Sequence, residues 1–521
     1  MKKNLLLTTL LSASVFTAAF AQEVVDQAVV QKIREEGLNH SQVMKTAFYL
    51  TDVSGPRLSG SPGLKHAQDW AVGQLKTWGM ANVGLESWGK FGKGWEVEKN
   101  YAAITVPYYH AIIAIPKAWT PGTAGPIKGD VVLIKADTIT DLDQYKGKLK
   151  GKIVITYTKT PLTRSTKPDL SRYTDEELDK MAAAQPAAPG GGRGGANSPA
   201  FAAMRKLRAL RTAMSEFFVQ EQVGLVLSQA RGTDGTVFTT NGASYAEDAK
   251  PVAPELETSG EDYLRIVRLL DGGIAVQMEA DVQTKFFDKD LNGYDVVAEI
   301  PGTDKKLKDQ LVIIGGHFDS WHGGTGATDN AAGSAVMMEA MRILKTIGFK
   351  PKRTIRMLLW SSEEQGLFGS RGYVLNHFGD PKTMQLKPEQ AKVSAYYNLD
   401  NGTGKIRGVY LQGNQEIGPI FKTWLEPFKD LGASTVTISN TGGTDHQSFD
   451  AVGIPGFQFI QEPMDYNTRT HHSNQDVYDR LVEDDLKQAA TIVASFVYNT
   501  AQRADMMPRK ELPKPPPTPA N

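Results

Sequence analysis

The feature that most constrains the fold is an alternation, from about residue 294 onward, of short uninterrupted apolar runs with helix-like segments. Residues 296–300, 311–314 and 355–360 have the length and composition of strands, and a helix is predicted at 331–344, between the last two. Runs that are apolar at every position are typical of strands with both sides buried. The sequence therefore predicts an α/β fold whose mixed central sheet is covered by helices on both faces.

The rest of the 521-residue chain differs from this region in its hydrophobic pattern and composition. Short β-like runs appear from about residue 116, and a stretch between them is rich in alanine, proline and glycine, so it can bury little surface. We predict a signal peptide at 1–21, the N-terminal part of the main domain at 22–115, an inserted β-rich domain at 116–285 that contains a flexible loop at 181–203, the greater part of the main domain at 286–505 and a disordered proline-rich tail at 506–521.

The first residues of the chain are typical of an export signal. Lys2 and Lys3 precede an apolar run at 5–20, and the small residues Ala19 and Ala21 fit cleavage just after Ala21. The alternative, a membrane anchor, is disfavoured because the run is too short to span a bilayer comfortably. We therefore expect an exported protein, periplasmic or secreted, with no membrane attachment once the signal peptide is removed.

The composition narrows the chemistry that is open to the chain. The chain has 58 lysine and arginine residues and 58 aspartate and glutamate residues. It therefore has no excess of positive charge that would indicate a nucleic-acid partner. The chain has no cysteine, which excludes disulfides, a cysteine nucleophile and thiolate metal ligands. Any metal ion must therefore be bound by histidine and carboxylate side chains.

Residues of these two types follow the predicted strands. His317, the pair Glu363 and Glu364, and Asp400 each stand at or just beyond the end of an apolar run. Ligands of open α/β sheets gather beyond the carboxyl ends of strands, so these residues predict a metal site at one edge of the sheet. Within the glutamate pair, one carboxylate can bind metal while the other serves as general base, although an ordinary charged loop is the alternative.

Two aspartates and two histidines extend this set. Asp329 stands at the mouth of the predicted helix, where a carboxylate can bridge two cations, although aspartate is also a common helix N-cap. Asp319, two residues after His317, is interpreted as the carboxylate that orients this imidazole. His471 and His472 lie in a polar loop, which is either a surface turn or the source of a late imidazole ligand. Imidazole and carboxylate together suit zinc.

Six motifs resemble those of the M28 family of zinc aminopeptidases and carboxypeptidases, in that family's order. They are GGHFD (315–319), ATDNAAG (327–333), EEQG (363–366), NLD (398–400), GTDH (443–446) and HSNQD (472–476). Segments 56–62 and 471–473 resemble the carboxypeptidase Q branch of the family, and LKGKIV (149–154) resembles part of a protease-associated (PA) domain. The resemblance implies a metallopeptidase that acts on short peptides or dipeptides, with 286–505 as its catalytic peptidase domain.

The resemblance also implies a role for each residue. Two zinc ions per chain would be held by His317 and Asp400 on one side and by Glu364 and His472 on the other, with Asp329 bridging them. Glu363 would act as general base on water, and His471 stands where relatives carry a tyrosine that steadies the oxyanion. Thr444 and Asp445 would belong to the substrate pocket. The Asp329–Asn330 bond would be a cis peptide.

Several alternatives stay open. The direction of attack is undecided, because Arg371, Arg407 and Arg469 could each bind a substrate carboxylate and the sequence does not place them. A glutaminyl cyclase-like enzyme with one zinc ion is an alternative activity, and an inactive PA-domain binding protein with no zinc is an alternative function. A homodimer is common in the family, so the oligomeric state is open as well.

Overall fold

The computed structural model describes residues 23–158, 161–186 and 199–514. Its strands are β1 (Ala81–Lys90), β2 (Gly94–Val106), β3 (His110–Ala111), β4 (Ala114–Pro116), β5 (Ile127–Ile134), β6 (Ile153–Thr156), β7 (Leu225–Gln229), β8 (Glu255–Thr258), β9 (Gln277–Phe287), β10 (Asn292–Ile300), β11 (Leu311–His317), β12 (Thr354–Trp360), β13 (Gly379–Asp380), β14 (Gln385–Leu386), β15 (Val393–Asn398), β16 (Ile406–Tyr410), β17 (Thr435–Thr437) and β18 (Gly456–Gln461). Its α-helices are α1 (Gln27–Asn39), α2 (Val43–Phe48), α3 (Pro62–Thr77), α4 (Asp175–Ala182), α5 (Pro199–Gln220), α6 (Gly260–Asp271), α7 (Ala332–Thr346), α8 (Phe368–His377), α9 (Gly418–Leu425), α10 (His446–Asp450) and α11 (Glu483–Gln502).

Eight of the described strands form the central sheet, in the order β1-β10-β12-β11-β15-β18-β16-β17. The neighbouring strands β12, β11, β15 and β18 are parallel, whereas β10 runs antiparallel to β12 and β16 runs antiparallel to β18. The predicted strands at 296–300, 311–314 and 355–360 are parts of β10, β11 and β12. The predicted mixed α/β fold is confirmed.

Both faces of this sheet are buried, as the uninterrupted apolar runs predict. Val312 and Ile314 of β11 pack into one hydrophobic core with helices α1, α2, α7 and α11. Ile313, which points to the other face, packs into a second core with α8 and α10. Because successive side chains of a strand alternate between faces, a strand that is apolar throughout needs helices on both sides.

Eight further described strands form a second mixed sheet, in the order β3-β2-β9-β5-β6-β7-β8-β4. The strands β5 to β8 are parallel, and the long strands β2 and β9 form an antiparallel pair. This sheet begins at Gly94, so the inserted segment starts before the predicted boundary at 116. The middle of β2 is polar and exposed, which hides this strand from a search for apolar runs. The likeness of the insert to a PA domain stays a prediction.

The loop predicted at 181–203 is helical at both of its ends. Helix α4 continues to Ala182 and helix α5 begins at Pro199, so the unstructured part is shorter than predicted. Residues 187–198 of this loop lie outside the described part of the chain.

The tail predicted to be disordered at 506–521 packs against the main domain in its first residues. Met507 is buried, and its amide donates to the hydroxyl of Ser394 at 3.1 Å. The guanidinium of Arg509 donates to the carbonyl oxygen of Val393 at 2.7 Å. The prediction is therefore wrong for these positions, because composition does not reveal partners that lie far away in the sequence. Residues 515–521 lie outside the described chain.

The signal peptide predicted at 1–21 also lies outside the described residues. Among the residues that are described, no helix is both long and apolar enough to cross a membrane.

Candidate metal centre

The carboxyl ends of three parallel strands meet at one edge of the central sheet. His317 at the end of β11 lies opposite Trp360 of β12, and Gly315 of β11 lies opposite Asn398 of β15. The candidate ligands and base that stand at or just beyond these ends are His317, Glu363, Glu364 and Asp400. The structure brings these residues together at this edge of the sheet, and their role as metal ligands and base stays a prediction.

Asp329 joins this group from a short turn, Ala327–Ala331, that leads into α7. Its Oδ1 lies 3.2 Å from Nε2 of His317, and its Oδ2 lies 3.3 Å from Nε2 of His472. The peptide bond from Asp329 to Asn330 is cis, as the resemblance implies. One carboxylate therefore faces two imidazoles, with one oxygen toward each.

The turn reaches this place because α7 begins very close to the segment that follows β15. A Cβ at Gly333 would lie 2.1 Å from the carbonyl oxygen of Leu399, so only glycine fits there. The side chain of Asn330 donates to that carbonyl oxygen at 2.9 Å and accepts from the amide of Gly333 at 2.9 Å. These contacts give a physical reason for the asparagine and the last glycine of the ATDNAAG motif.

Two sets of ligand-type atoms share Asp329. In the first set, Nε2 of His317 lies 3.2 Å from Oδ1 of Asp329 and 3.2 Å from Oδ1 of Asp400. In the second set, Nε2 of His472 lies 3.3 Å from Oδ2 of Asp329 and 2.8 Å from Oε2 of Glu364. Tetrahedral ligands at the usual zinc distances of about 2.0–2.1 Å lie roughly 3.3 Å from one another. The distances from Nε2 of His317 to its two carboxylate neighbours are close to this value, and Nε2 of His472 has one such distance to Asp329 and a shorter one to Glu364. His471, whose Nε2 lies 3.9 Å from Oδ2 of Asp329, is also close enough to share a cation with Asp329 and His472.

The carboxylates of these sets are only partly satisfied by the protein. Within the described chain, Oδ2 of Asp329 and Oε1 of Glu364 are buried and accept no hydrogen bond. A buried carboxylate oxygen without a donor is unfavourable, and a cation bound by these sets would satisfy it. The five ligand residues therefore fit zinc, which binds imidazole and carboxylate readily.

Burial and crowding of like charges shift the pKa values of the site. Burial raises the pKa of Glu363 well above its usual value, and Asp400 adds to the rise. Burial also raises the pKa of Glu364, with a further contribution from Asp329. Burial alone would lower the pKa of His317, but Asp400 and Glu363 raise it well above its usual value. These shifts arise because several carboxylates are crowded into a buried site, where a bound cation would stabilise their charged forms.

Asp319 has different partners from the one predicted. Nδ1 of His317 donates to the backbone carbonyl oxygen of Asp319 at 3.1 Å, whereas its carboxylate Oδ1 lies 3.8 Å away. The carboxylate instead accepts from the amides of Glu363 at 3.1 Å and Glu364 at 3.4 Å, and from the hydroxyl of Ser59 at 3.0 Å. The predicted role is therefore corrected. Because β11 and β12 end side by side, the Asp319 carboxylate holds the glutamate pair rather than the imidazole.

Arg57 is a residue of the site that sequence reasoning missed. Its guanidinium is fully buried and donates to the carbonyl oxygens of Leu50 (2.7 Å), Phe318 (2.8 Å), Thr325 (2.7 Å) and Gly326 (2.8 Å). Burial lowers its pKa to about 10, so the group stays charged at neutral pH. One side chain therefore ties the segment after β11 to the N-terminal helices. The signal in the sequence is a single arginine within the turn-rich motif at 56–62.

The loop that carries His472 is held from two sides. The carboxylate of Asp476 accepts from the amides of Thr328 at 2.6 Å and Asp329 at 3.1 Å. From the inserted segment, the amide and the hydroxyl of Thr239 donate to the carbonyl oxygen of His472 at 2.7 Å and 3.0 Å. The insert therefore helps to position the metal centre, which no motif in the sequence indicates.

His471 and Tyr466 both stand next to Asp329. Nε2 of His471 lies 3.9 Å from Oδ2 of Asp329, and about a third of the His471 side chain is exposed, at 33%. The buried hydroxyl of Tyr466 donates to Oδ1 of Asp329 at 3.0 Å. Motif comparison missed Tyr466, because it stands apart from the histidine pair in the sequence.

A cleft of about 530 Å³ opens onto the centre. Thr444 and Arg371 line it, together with His471, Glu363 and four of the candidate metal ligands. Asp445 is fully buried and does not line the cleft, and burial raises its pKa to about 7. The prediction that Asp445 contacts substrate is therefore corrected, because no part of this residue is accessible.

A cleft at the carboxyl ends of sheet strands, with histidine and carboxylate sets that share one aspartate and a buried glutamate beside them, defines a metal-dependent hydrolase. Residues 295–497 match the model of peptidase family M28. The chain therefore carries a peptidase family M28 domain, which is a metallopeptidase domain.

Known proteins resemble the chain well beyond this domain. Carboxypeptidase Q of Rattus norvegicus is 26% identical over 504 residues, which cover 93% of this chain and 94% of the relative. The crystal structure of a peptidase M28 precursor from Shewanella amazonensis has a TM-score of 0.65 at 23% identity and covers 94% of this chain and 99% of its own. A zinc aminopeptidase from Bacillus subtilis has a TM-score of 0.53 at 18% identity, with 89% and 96% covered. The two structures show that the fold is shared.

We expect Arg57→Met to lower the free energy of unfolding by at least about 3 kcal/mol, because it leaves four carbonyl oxygens, most of them buried, without this donor. Arg57→Lys should lose less, since an ammonium keeps the charge but cannot reach all four oxygens. The measurement is urea unfolding in the presence of a chelator, so that bound metal adds nothing to stability. Arg208→Met, at an exposed position on α5, is the control. Equal unfolding midpoints for Arg57→Met and the control would contradict this role.

Proposed function

We propose that the chain is an exported exopeptidase that hydrolyses short peptides or dipeptides with two zinc ions, and that its insert is a PA-like domain. The observation that carries the metal proposal is the carboxylate of Asp329, whose two oxygens face the imidazoles of His317 and His472. A carboxylate shared in this way can hold two cations about 3.5–4 Å apart, the spacing of two-metal hydrolases. Export is supported by the signal-like segment at 1–21.

In this proposal His317 and Asp400 would hold one zinc ion, Glu364 and His472 would hold the other, and Asp329 would be a ligand of both. When bound, the two ions would lower the pKa of a water molecule and polarise the scissile carbonyl. The chain itself supplies fixed positions for the ligands, because each stands at a strand end, in the turn before a helix or in a hydrogen-bonded loop. Such pre-organisation spares the enzyme the reordering of its own groups during the reaction.

Glu363 is the proposed general base. It lines the cleft beside the ligand sets, and the Asp319 carboxylate holds its amide at 3.1 Å. A carboxylate in this position can take a proton from the attacking water. It then gives that proton to the leaving amine as the peptide C–N bond breaks. Thr444 is proposed to contact the substrate from the cleft wall.

The alternatives are less well supported. A glutaminyl cyclase-like enzyme needs one ligand set and an inactive binding protein needs neither, whereas imidazole and carboxylate groups lie next to both oxygens of Asp329. Among the relatives are a carboxypeptidase and an aminopeptidase, so the likeness to this family does not set the direction of attack.

Glu363→Gln is expected to lower kcat by about 10²–10⁴-fold and to leave the zinc content unchanged, because glutamine keeps the shape of the side chain but cannot accept the proton. Steady-state kinetics on a dipeptide and elemental analysis of the same sample measure the two quantities. Glu416→Gln, at an exposed position, is the matched control and should behave as the wild type. If kcat survives with zinc bound, Glu363 is not the base, and if zinc is lost, Glu363 is a ligand.

We further propose that His471 donates a hydrogen bond to the oxyanion, since it lines the cleft next to Asp329. His471→Phe should then lower kcat by roughly 10²–10³-fold while both metal content and KM change little. Tyr466→Phe, assayed in parallel, removes the hydroxyl that donates to Oδ1 of Asp329. Unchanged turnover of His471→Phe with metal bound would end this assignment, and a loss confined to Tyr466→Phe would move the role to Tyr466.

A further inference from the structure

The acidic and basic side chains that line the cleft over the candidate metal centre differ in whether they already have a role. The carboxylates that line it are Asp329, Glu363, Glu364 and Asp400, and each is already engaged as a proposed ligand or base. Arg371 is the one lysine or arginine among the described residues that line the same cleft. The wall therefore offers a spare positive charge and no spare negative charge to a bound peptide.

Arg371 is held close to the reacting groups by the backbone. The carbonyl oxygen of Glu363 accepts from the amides of Gly366 and Leu367, each at 2.8 Å, and the carbonyl oxygen of Leu367 accepts from the amide of Arg371 at 2.9 Å. A tight turn and one turn of α8 thus separate the proposed base from this arginine. Because these elements are rigid, the backbone of Arg371 is held in place relative to Glu363, and its side chain lines the cleft.

The guanidinium of Arg371 is free to bind a ligand. Arg371 is exposed, and its side chain makes no hydrogen bond and no ion pair within the described chain. The other two arginines that the sequence left open are engaged elsewhere. Arg407 is paired with the buried Glu462, and Arg469 is paired with Asp169 at 2.6 Å and with an exposed aspartate of the insert.

A peptide end needs a partner of opposite charge. A free amino terminus is an ammonium and requires an unengaged carboxylate or a group of carbonyl oxygens, whereas a free carboxyl terminus requires an arginine or lysine. A guanidinium binds a carboxylate through two parallel N–H donors, which fixes orientation as well as charge. The cleft supplies the second kind of partner.

We propose that Arg371 binds the α-carboxylate at the carboxyl terminus of the substrate, so that the enzyme removes the C-terminal residue of a short peptide or splits a dipeptide. This inference rests on the proposed peptidase function and deepens it, because it sets the direction of attack. Arg371 is then a specificity-determining residue, and the substrate class is a peptide with a free carboxyl end.

The test compares two substrates that differ only at the carboxyl end, Ala-Ala and Ala-Ala-amide, with the zinc-loaded full-length enzyme. The wild type should favour the free acid by about 100-fold in kcat/KM, because the amide cannot pair with a guanidinium. Arg371→Ala should lower kcat/KM on the free acid by roughly 10–100-fold, chiefly through KM, and lower it far less on the amide, so that the preference collapses. Arg371→Lys should restore part of the preference, because charge returns without the two-donor geometry.

Two further arms keep the result unambiguous. Arg208→Ala removes an arginine from an exposed site on α5 and should leave both substrates unaffected. A third substrate, Ala-Glu-amide, offers a side-chain carboxylate in place of the terminal one. If Arg371→Ala lowers kcat/KM on this substrate as much as on Ala-Ala, the arginine recognises side chains and the proposal is overturned.

The outcomes also separate this inference from the function on which it rests. A wild-type enzyme that cleaves the amide as well as the free acid, or an Arg371→Ala enzyme with equal losses on both, contradicts terminal carboxylate binding and leaves the peptidase intact. No cleavage of any of the three substrates by the zinc-loaded enzyme contradicts the proposed function itself.

Discussion

The structure of this centre depends on one electrostatic constraint, which is that several carboxylates must share a buried site. Asp329, Glu363, Glu364 and Asp400 would repel one another strongly where water screens charge poorly, and this repulsion, added to burial, raises the pKa of both glutamates. Imidazoles, backbone amides and bound cations are the groups that can offset it. The buried guanidinium of Arg57 places a permanent positive charge behind the same site. Such a cluster of carboxylates therefore favours the binding of a metal ion.

The fold meets this constraint by bringing rigid ends together. Parallel pairing of β11 with β12 and β15 places three strand ends at one edge, and the close start of α7 brings Asp329 to the same edge. The loop with His472 is the exception, because it belongs to no strand or α-helix. It is held by Asp476 within the main domain and by Thr239 from the insert. The segment that forms the second sheet therefore helps to hold the loop of His472 in place at the centre.

Some of this could be predicted from the sequence, and some could not, for physical reasons. Apolar periodicity and strand direction suffice to bring His317, Glu363 and Asp400 to one edge, because parallel strands end together. The partner of the Asp319 carboxylate, the burial of Asp445 and the packing of residues 507–509 depend on contacts between segments that are far apart in the chain. The start of the second sheet at Gly94 could not be predicted for another reason. The middle of this antiparallel strand is exposed and polar, so the strand is not recognised as an apolar run.

Whether two cations share the carboxylate of Asp329 is tested most directly by anomalous diffraction at the zinc absorption edge, on crystals of the full-length protein grown with zinc. The geometry predicts two peaks about 3.5–4 Å apart, one beside Oδ1 of Asp329 with His317 and Asp400, and one beside Oδ2 with Glu364 and His472. A single peak at full zinc occupancy, or two peaks of which only one contacts Asp329, would contradict the shared carboxylate and with it the two-metal centre.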